Sequence, residues 1–322
     1  MMRIDVGRMS VAALRRLFLE QRQPVNRYRV QQLQADPRMG VRLLAAALDR
    51  RLVRQRFERR RLNSLLSFET CLWKRGTTHV AGVDEAGVGP LAGPVVAAAV
   101  VLQPGRPIPG VDDSKKLDPQ TRAGLELSIR QTALSVEIGE ANVEEIDRLN
   151  IYHAALLAMR RAVAALEPAP QQVLVDGRTI PDLDVEQQSI VGGDGRSLSI
   201  AAASIIAKTH RDRLMVELHR RYPEYGFDRH KGYCTTEHQR ALQRHGVCPA
   251  HRHSFRFLRE ATGLYSESFY GLRGELAVIC SASELRRVRQ RLEAERGALS
   301  DEETQKLRLL LNRRRKRLGV GA

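Results

Sequence analysis

Two adjacent carboxylates, Asp84 and Glu85, follow an apolar run and stand directly before a glycine-rich turn, within the segment VAGVDEAGVGPLAG at 80–93. Two further acids occupy similar places: Asp176 closes a short apolar segment, and Asp194 lies in the loop GGDG. If neighbouring strand ends bring these carboxylates together, they repel one another, and a divalent cation removes that cost. Ligand sets made only of oxygen favour Mg2+ or Mn2+ over zinc.

Such a site has a definite chemistry. Two divalent ions about 4 Å apart can activate a water molecule and stabilise the leaving oxygen of a phosphodiester. In a basic protein, this predicts a nuclease or a strand transferase. Each acid taken alone is more often a structural or solvated side chain, so the interpretation depends on the whole set of acids, turns and spacing.

The net charge of +16 is unevenly distributed along the 322 residues. Residues 1–76 contain 18 Arg/Lys and 6 Asp/Glu, residues 77–265 contain 22 and 23, and residues 266–322 contain 13 and 8. A near-neutral middle with basic ends fits a catalytic body beside extensions that bind nucleic acid. Arginine-rich helices with solvated faces are the alternative explanation.

The composition indicates a folded protein of the cytoplasm. Hydrophobic residues make up 43% of the chain, which is enough for a full core. No apolar run approaches the roughly 20 residues that cross a bilayer, and the N-terminus lacks the apolar stretch of a signal peptide. The four cysteines are widely spaced, which is typical of reduced thiols. We therefore expect a cytoplasmic protein without a membrane partner.

The N-terminal region reads as a small helical module over 1–76. Apolar residues at helical spacing predict helices at 10–21 and 37–62, with Asp36 as the N-cap of the second before a proline. A third helix is predicted at 68–75.

The pattern changes at residue 77, and the region 77–262 reads as a catalytic domain. Strands that precede and then alternate with helices indicate a mixed sheet with helices on its faces. The predicted strands lie at 80–83, 94–102, 134–138, 172–176 and 188–191, and the predicted helices at 119–131, 143–148, 150–166 and 200–221.

The C-terminal region divides into a linker and a helical hairpin. Residues 263–280 are predicted to be a linker with little structure of their own. Over 281–322, Ser281 with Glu284 and Ser300 with Glu303 each fit a capping box, which predicts two helices. The basic run RRRKR at the end could bind phosphates, or it could be a solvated helix end near the negative pole of the helix dipole.

The motifs of the middle region, taken in order, resemble the ribonuclease HII family from about Val80 to Phe257. The N-terminal helical region is similar to the extension of some bacterial members. The matching segments are GVDEAGVGPLAGPVV at 82–96, DDSKKL at 112–117, LNIYHAAL at 149–156, VLVDG at 173–177, GD at 193–194, AASIIAK at 202–208 with RD at 211–212, YGFDRHKGY at 225–233 and HRHSF at 251–255.

The resemblance implies a fold and a reaction. The fold is α/β, a ribonuclease H-like mixed sheet flanked by helices, here with helical N- and C-terminal extensions. The reaction is endonucleolytic hydrolysis of the RNA strand of RNA–DNA hybrids, and cutting at ribonucleotides embedded in duplex DNA, which leaves 5′-phosphates. The expected cofactor is Mg2+ or Mn2+, with two ions when substrate is bound. We expect a monomer that acts in DNA replication and repair.

The resemblance also assigns residues. The four catalytic carboxylates fall on Asp84, Glu85, Asp176 and Asp194, and the first three are expected to bind metal, with Asp84 bridging the ions. Asp212 is the competing candidate for the fourth carboxylate. The expected substrate contacts are Gly87, Val88, Gly89, Ser114, Lys115, Lys116, Ser204, Lys208 and Tyr233.

Two positions depart from the family pattern. Val88 replaces the arginine of the usual Gly-Arg-Gly turn, and Gly192 replaces a lysine that usually stands two positions before the fourth acid. Backbone contacts to a ribose 2′-hydroxyl survive the change at Val88, whereas a guanidinium contact to phosphate does not. We expect cleavage to persist and cutting at a single embedded ribonucleotide to be less efficient.

Three other interpretations stay open at this stage. The chain could be a strand-transfer or junction-cutting enzyme of the same fold, or a non-catalytic protein that binds hybrids. The spacing of Cys248, His251 and His253 also resembles a zinc site, although it fits no established ligand pattern. Among the aromatic side chains of the same region, Tyr222, Tyr225 and Phe227 are expected in the core.

Overall fold

The computed structural model describes residues 6–261 and 265–319. The chain forms two compact units. The first comprises the described residues of Met1–Ala86 together with Val96–Glu140 and Leu156–His210, and the second comprises Gly87–Val95, Ala141–Ala155 and the described residues of Arg211–Ala322.

A five-stranded mixed sheet forms the centre of the first unit, with the strand order β3-β2-β1-β4-β5. β1 runs antiparallel to β2 and parallel to β4, and β4 runs parallel to β5. All seven residues of β2 are buried, as expected for a strand covered on both faces. The predicted mixed sheet is therefore confirmed. The strands are β1 Val80–Ala86, β2 Val95–Val101, β3 Ser135–Ala141, β4 Gln172–Asp176 and β5 Glu186–Ile190.

Helices lie against this sheet at very short range. A Cβ atom on Gly82 of β1 would lie 2.1 Å from the carbonyl carbon of Ser199, and one on Gly139 of β3 would lie 2.1 Å from the carbonyl oxygen of Ala158. Only glycine permits these two approaches of helix backbone to strand. The helices are α5 Pro119–Thr132, α6 Val143–Leu149, α7 Ile151–Ala164 and α8 Leu198–Arg221. All four were predicted, with ends that shift by a few residues.

The N-terminal helices are α1 Val11–Arg15, α2 Arg27–Gln34, α3 Met39–Leu65 and α4 Ser67–Lys74, and a π-helical turn over Arg16–Glu20 continues α1. Leu14, Phe18, Leu33, Leu44 and Leu48 form their apolar core. Here α2 was not predicted from the sequence.

The predicted N-cap at Asp36 is wrong. Asp36 instead accepts hydrogen bonds from the backbone N–H and the guanidinium of Arg38, at 2.6–2.9 Å. Its carboxylate is therefore already satisfied, and α3 begins later, at Met39, with Arg38 in the cap position.

The second unit contains α9 Phe227–His230, α10 Thr236–His245, α11 Arg256–Ala261, α12 Glu267–Val278, α13 Ala282–Ala294 and α14 Asp301–Arg317. Both predicted capping boxes are present, at Ser281 and Ser300. The expectation of little structure over 263–280 is wrong, because α12 occupies most of that segment; residues 262–264 lie outside the described part of the chain. None of the helices in that part is long and apolar enough to cross a membrane.

The last three helices share a core of their own. Phe269, Leu272 and Leu276 of α12 pack with Leu285 of α13 and Leu307 of α14, all of them buried. The apolar residues of α12 recur at helical spacing, which is the signal that could have predicted this helix. Two glycines within it weaken the helical propensity and obscure that signal.

Candidate active site

The carboxylates of the first unit meet at one edge of the sheet. β1 and β4 are parallel, and Val83 pairs with Val175, so Asp84 and Asp176 follow at the same level on neighbouring strands. Asp84 is only 6% exposed. The sheet register therefore brings together Asp84 and Asp176, each of which the sequence places at the end of a strand.

Asp194 belongs to the same unit and is tied to the same strand end. It stands in the 3-10 turn Gly193–Gly195, and the backbone N–H of Gly193 donates to Oδ1 of Asp176 at 2.7 Å. Nζ of Lys115 lies 3.6 Å from Oδ2 of Asp194. The competing candidate, Asp212, belongs to the second unit.

These acids form a negative cluster that the nearby cations compensate only in part. Burial raises the pKa of Asp84 well above its usual value, the carboxylates of Glu85 and Asp176 raise it further, and hydrogen bonds from Ser204 and from the backbone of Glu85 only partly oppose this rise. Burial also raises the pKa of Glu85; Arg178, 3.8 Å away, lowers it, and Asp176 adds to the rise.

The donor set fits a hard divalent cation. All the clustered groups offer carboxylate oxygen, and a bound cation would remove the electrostatic cost that raises both pKa values. Within residues 6–261 and 265–319, no three His, Cys, Asp or Glu side chains already converge as a ready-made coordination cage. The cluster is thus a charge arrangement whose side chains must adjust when an ion binds.

Lys115 and Ser114 border this cluster, while Lys116 does not. Burial lowers the pKa of Lys115, but nearby carboxylates, that of Asp194 above all, outweigh this and raise it overall. The hydroxyl of Ser114 lies 2.9 Å from that of Ser204, which also bonds to Asp84. Lys116 instead pairs with the acids that precede it in the DDSKK segment. Lys208 is half-buried on α8 in the same unit.

The glycine-rich turn belongs to the second unit, where a buried arginine holds it from inside. Arg252 is fully buried, and its guanidinium donates to five carbonyl oxygens. The acceptors are Gly87 at 2.6 Å, Pro90 at 2.7 Å, Gly93 at 2.9 Å, Val88 at 3.1 Å and Pro94 at 3.2 Å.

Arg211 supports the same turn from α8. Its guanidinium donates to the carbonyl oxygens of Ala92, Pro94 and Lys231 at 3.0–3.1 Å. Gly87 has φ +93°, and a Cβ atom there would lie 2.0 Å from Nε of Arg211. The turn therefore requires glycine at position 87. Burial lowers the pKa of Arg211 to about 10 and that of Arg252 to about 9.

The predicted substrate residues of this unit lie next to one another. A Cβ atom built on Gly89 would lie 3.7 Å from Cε1 of Tyr233, whose side chain is 45% exposed. Val88 is half-buried. Gly89 and Tyr233 thus present an accessible backbone turn beside an accessible aromatic ring.

Two buried histidines form a chain of polar contacts that ends at the backbone carbonyl of Tyr233. The backbone N–H of Cys248 donates to Nδ1 of His251 at 2.9 Å, Nε2 of His251 lies 3.0 Å from Nε2 of His238, and Nδ1 of His238 lies 2.9 Å from the carbonyl oxygen of Tyr233. This chain of contacts requires both imidazoles to be neutral. Burial lowers the pKa of each histidine to about 4.

The same cluster accounts for the spacing that resembles a zinc site. Tyr225 and Phe227 stack on each other at 5.5 Å between centroids, and both contact the ring of His251. Tyr225 and Phe227 are buried, so their predicted place in the core is confirmed, while Tyr222 is only partly buried and packs against the same cluster. His251 therefore has packing and hydrogen-bonding partners within the protein.

A mixed sheet with buried carboxylates at neighbouring strand ends defines a class, the nucleases of ribonuclease H-like fold. A model of the family described as ribonuclease HII matches residues 81–258, and a model of the ribonuclease HII N-terminal domain matches residues 10–73. The chain belongs to the ribonuclease HII family. The resemblance inferred from the motifs is thereby confirmed.

Individual relatives agree with this assignment. Ribonuclease HII of Myxococcus xanthus is 52% identical over 256 residues, which are 79% of this chain and 87% of that protein. Ribonuclease HII of Geobacillus thermodenitrificans is 48% identical over 238 residues, 74% of this chain and 92% of that protein. The crystal structure of ribonuclease H2 from Pyrococcus horikoshii is 26% identical, with a TM-score of 0.51 over 57% of this chain and 97% of that one.

Membership confirms the predicted fold and the predicted class of enzyme, a nuclease that hydrolyses phosphodiesters and belongs to a metal-dependent family. The non-catalytic and strand-transfer interpretations are not favoured. Both family models end by residue 258, so the C-terminal helices α12, α13 and α14 lie beyond them.

Proposed function

We propose that the protein hydrolyses the RNA strand of RNA–DNA hybrids and cuts at ribonucleotides embedded in duplex DNA. The observation that carries this proposal is the buried Asp84, which shares one sheet edge with Asp176 and whose pKa is raised by burial and by its acidic neighbours. A protein maintains such a cluster at a cost in stability, which a catalytic site for hard cations explains.

Asp84, Glu85 and Asp176 are the proposed metal ligands, with Mg2+ or Mn2+ as the ion and two ions in the substrate complex. When bound, the cations supply Lewis-acid activation for hydrolysis of the phosphodiester. Ser204 orients the Asp84 carboxylate through its hydrogen bond, and Lys115 places a positive charge at the edge of the cluster.

Asp194 is the proposed fourth carboxylate, in preference to Asp212. Its turn is bonded to Asp176 through the Gly193 backbone, and its side chain faces Lys115. Asp212 instead follows Arg211 on α8, where burial lowers the pKa of the Arg211 guanidinium and the negative charge of Asp212 partly offsets that fall.

The turn at Gly87–Gly89 is the proposed reader of the ribose 2′-hydroxyl. Because the carbonyls of Gly87 and Val88 point inward to Arg252, the trans peptide geometry directs the N–H groups of Val88 and Gly89 the opposite way. Those N–H groups can donate hydrogen bonds to a hydroxyl, whichever side chain stands at position 88. Tyr233, beside Gly89, would pack against the ribose.

The test uses two labelled duplexes, one a full hybrid and one DNA with a single ribonucleotide, each incubated with Mg2+ or Mn2+. The wild-type protein should cut both at ribonucleotide linkages and leave 5′-phosphates. Asp84→Asn should abolish cutting and leave binding largely intact, and Asp212→Asn should cut like the wild type. A wild type that cuts neither duplex would contradict the proposal.

The cellular setting follows as part of the same proposal. A monomeric enzyme of this specificity would act in the cytoplasm on ribonucleotides left in DNA by replication and repair. The division into a helical module over 1–76, a catalytic domain over 77–262, a segment over 263–280 and a hairpin over 281–322 likewise stays a prediction.

A further inference from the structure

The C-terminal helices line an open cavity of about 520 Å³ in the second unit. Its floor is apolar and includes Tyr265, Phe269 and Leu276, which belong to the core of the three helices. Among the described residues that line the cavity there is no carboxylate. Six cationic side chains line it: Arg256, Arg273, Lys306, Arg313, Arg314 and Arg317.

The cations of α14 reach the cavity because the helix is amphipathic. Leu307 and Leu311 face the shared core, while Lys306, Arg313 and Arg317 recur on the face that lines the cavity. Nε of Arg314 donates to the carbonyl oxygen of Leu276 at 2.9 Å, which fixes α14 against the end of α12.

Three acids of the tail pair with arginines that do not line the cavity. Glu275 and Glu295 both pair with Arg291, and Glu293 pairs with Arg308, so these carboxylates do not neutralise the cavity. Glu302 pairs with Lys306 at one end of it. Within the described parts of the chain, Arg313 and Arg317 make no ion pair.

A solvated helix end cannot explain this arrangement. Cations at the C-terminus of α14 suit the helix dipole, which would account for Arg313–Arg317 alone. The cavity also collects Arg256 from α11 and Arg273 from α12, which gain nothing from the dipole of α14. Cations from three helices directed at one cavity indicate a polyanionic ligand.

We propose that this cavity binds the sugar–phosphate backbone of nucleic acid without regard to sequence, as a second contact separate from the catalytic carboxylates. From Lys306 to Arg317 the cationic face of α14 extends about 16 Å at 1.5 Å per residue. That length matches roughly five nucleotides of one duplex strand, which advances 3.4 Å per nucleotide. The identity of the ligand as nucleic acid rests on the proposed function.

The test compares two double variants of equal charge. Arg313→Ala with Arg317→Ala removes two cations of the cavity, and Arg286→Ala with Arg289→Ala removes two exposed cations of α13 that do not line it. Binding of a labelled hybrid is measured by fluorescence anisotropy in EDTA, across a range of KCl concentrations, with the full-length protein. Circular dichroism confirms that each variant is folded.

The cavity variant should reduce the slope of log K against log[KCl] by about 1.8, since each neutralised phosphate contributes about 0.9. The α13 variant should keep the wild-type slope. Arg313→Lys with Arg317→Lys should also keep it, because lysine neutralises phosphate as a point charge. With Mg2+ or Mn2+ present, the cavity variant should raise KM for the hybrid.

An equal slope in the cavity and α13 variants would overturn the proposal, and so would a Lys variant that binds as weakly as the Ala variant. Because binding is measured without metal, the result is independent of catalysis. A wild type that cuts hybrids beside a cavity variant of unchanged slope would defeat this inference and leave the proposed function standing. A wild type that cuts neither duplex, beside a cavity variant with a reduced slope, would defeat the proposed function and leave this inference standing.

Discussion

Removing the guanidinium of Arg252 should loosen the glycine-rich turn that carries Val88. Arg252→Met keeps most of the side-chain volume and removes every donor. Of the five carbonyls that Arg252 serves, that of Pro94 keeps a donor from Arg211, so four lose their guanidinium contact. At about 1 kcal/mol for each buried hydrogen bond lost, the variant should lose ~4 kcal/mol of unfolding free energy.

Such a loss is a large part of the ~5–15 kcal/mol that stabilises a typical domain. Arg252→Lys offers at most three donors on a shorter and non-planar head, so we expect it to recover about half of the loss. The matched control is Arg244→Met, an exposed arginine of α10, which should change stability by less than about 0.5 kcal/mol.

Two measurements test this prediction. Urea denaturation followed by circular dichroism gives the unfolding free energy of each variant, and hydrogen exchange read by mass spectrometry reports on peptides that cover 87–94. Arg252→Met should accelerate exchange in those peptides and lower cutting of the hybrid. The reasoning is refuted if Arg252→Met is as stable as Arg244→Met and the turn exchanges at the wild-type rate.

Three further predictions concern other parts of the molecule. Val88→Arg should raise cutting at a single ribonucleotide relative to the full hybrid, since it adds a guanidinium for phosphate; an unchanged ratio would count against this reading of the turn. His238 and His251 have folded pKa values near 4, below the unfolded 6.5, so the unfolded state takes up protons first. Stability in urea should thus be level above pH 6.5 and fall by a few kcal/mol towards pH 4; His251→Gln should flatten that fall, and an equal fall in the variant would contradict the assignment. Glu69 is fully buried and accepts hydrogen bonds from the backbone N–H and the hydroxyl of Ser199 at 2.9 and 2.7 Å. In thermal or urea denaturation, Glu69→Ala should therefore lower the unfolding free energy by about 2–4 kcal/mol, and Glu69→Gln should lower it by less.

The three central strands could be predicted because β1, β2 and β4 each contain an unbroken apolar run, whereas β3 and β5 carry mostly polar or mixed sequences. Strand β4 is found at the predicted residues 172–176, and β2 is buried on both faces as its composition required. Asp84 and Glu85 could be predicted as site residues for a related reason. Two charged residues at the end of a buried strand are unusual unless they have a functional role.

The features that the sequence did not reveal depend on contacts between distant residues. Arg252 stands in the matching segment HRHSF, but the sequence does not show what it does, and only the fold shows five carbonyls around it. Arg178 was missed in the same way, because its interest comes from lying 3.8 Å from Glu85. Helix α2 was missed because its residues are mostly polar, and its two buried side chains, Val30 and Leu33, give little periodic signal.

The central claim is that Asp84, Glu85 and Asp176 together bind a divalent cation. The most direct measurement is the affinity for Mn2+, obtained from the electron paramagnetic resonance of the free ion, in the wild type and in Asp176→Asn, with Asp212→Asn as the control. The account predicts that Asp176→Asn weakens Mn2+ binding at least ~10-fold and that Asp212→Asn leaves it unchanged. Wild-type affinity in Asp176→Asn would contradict it.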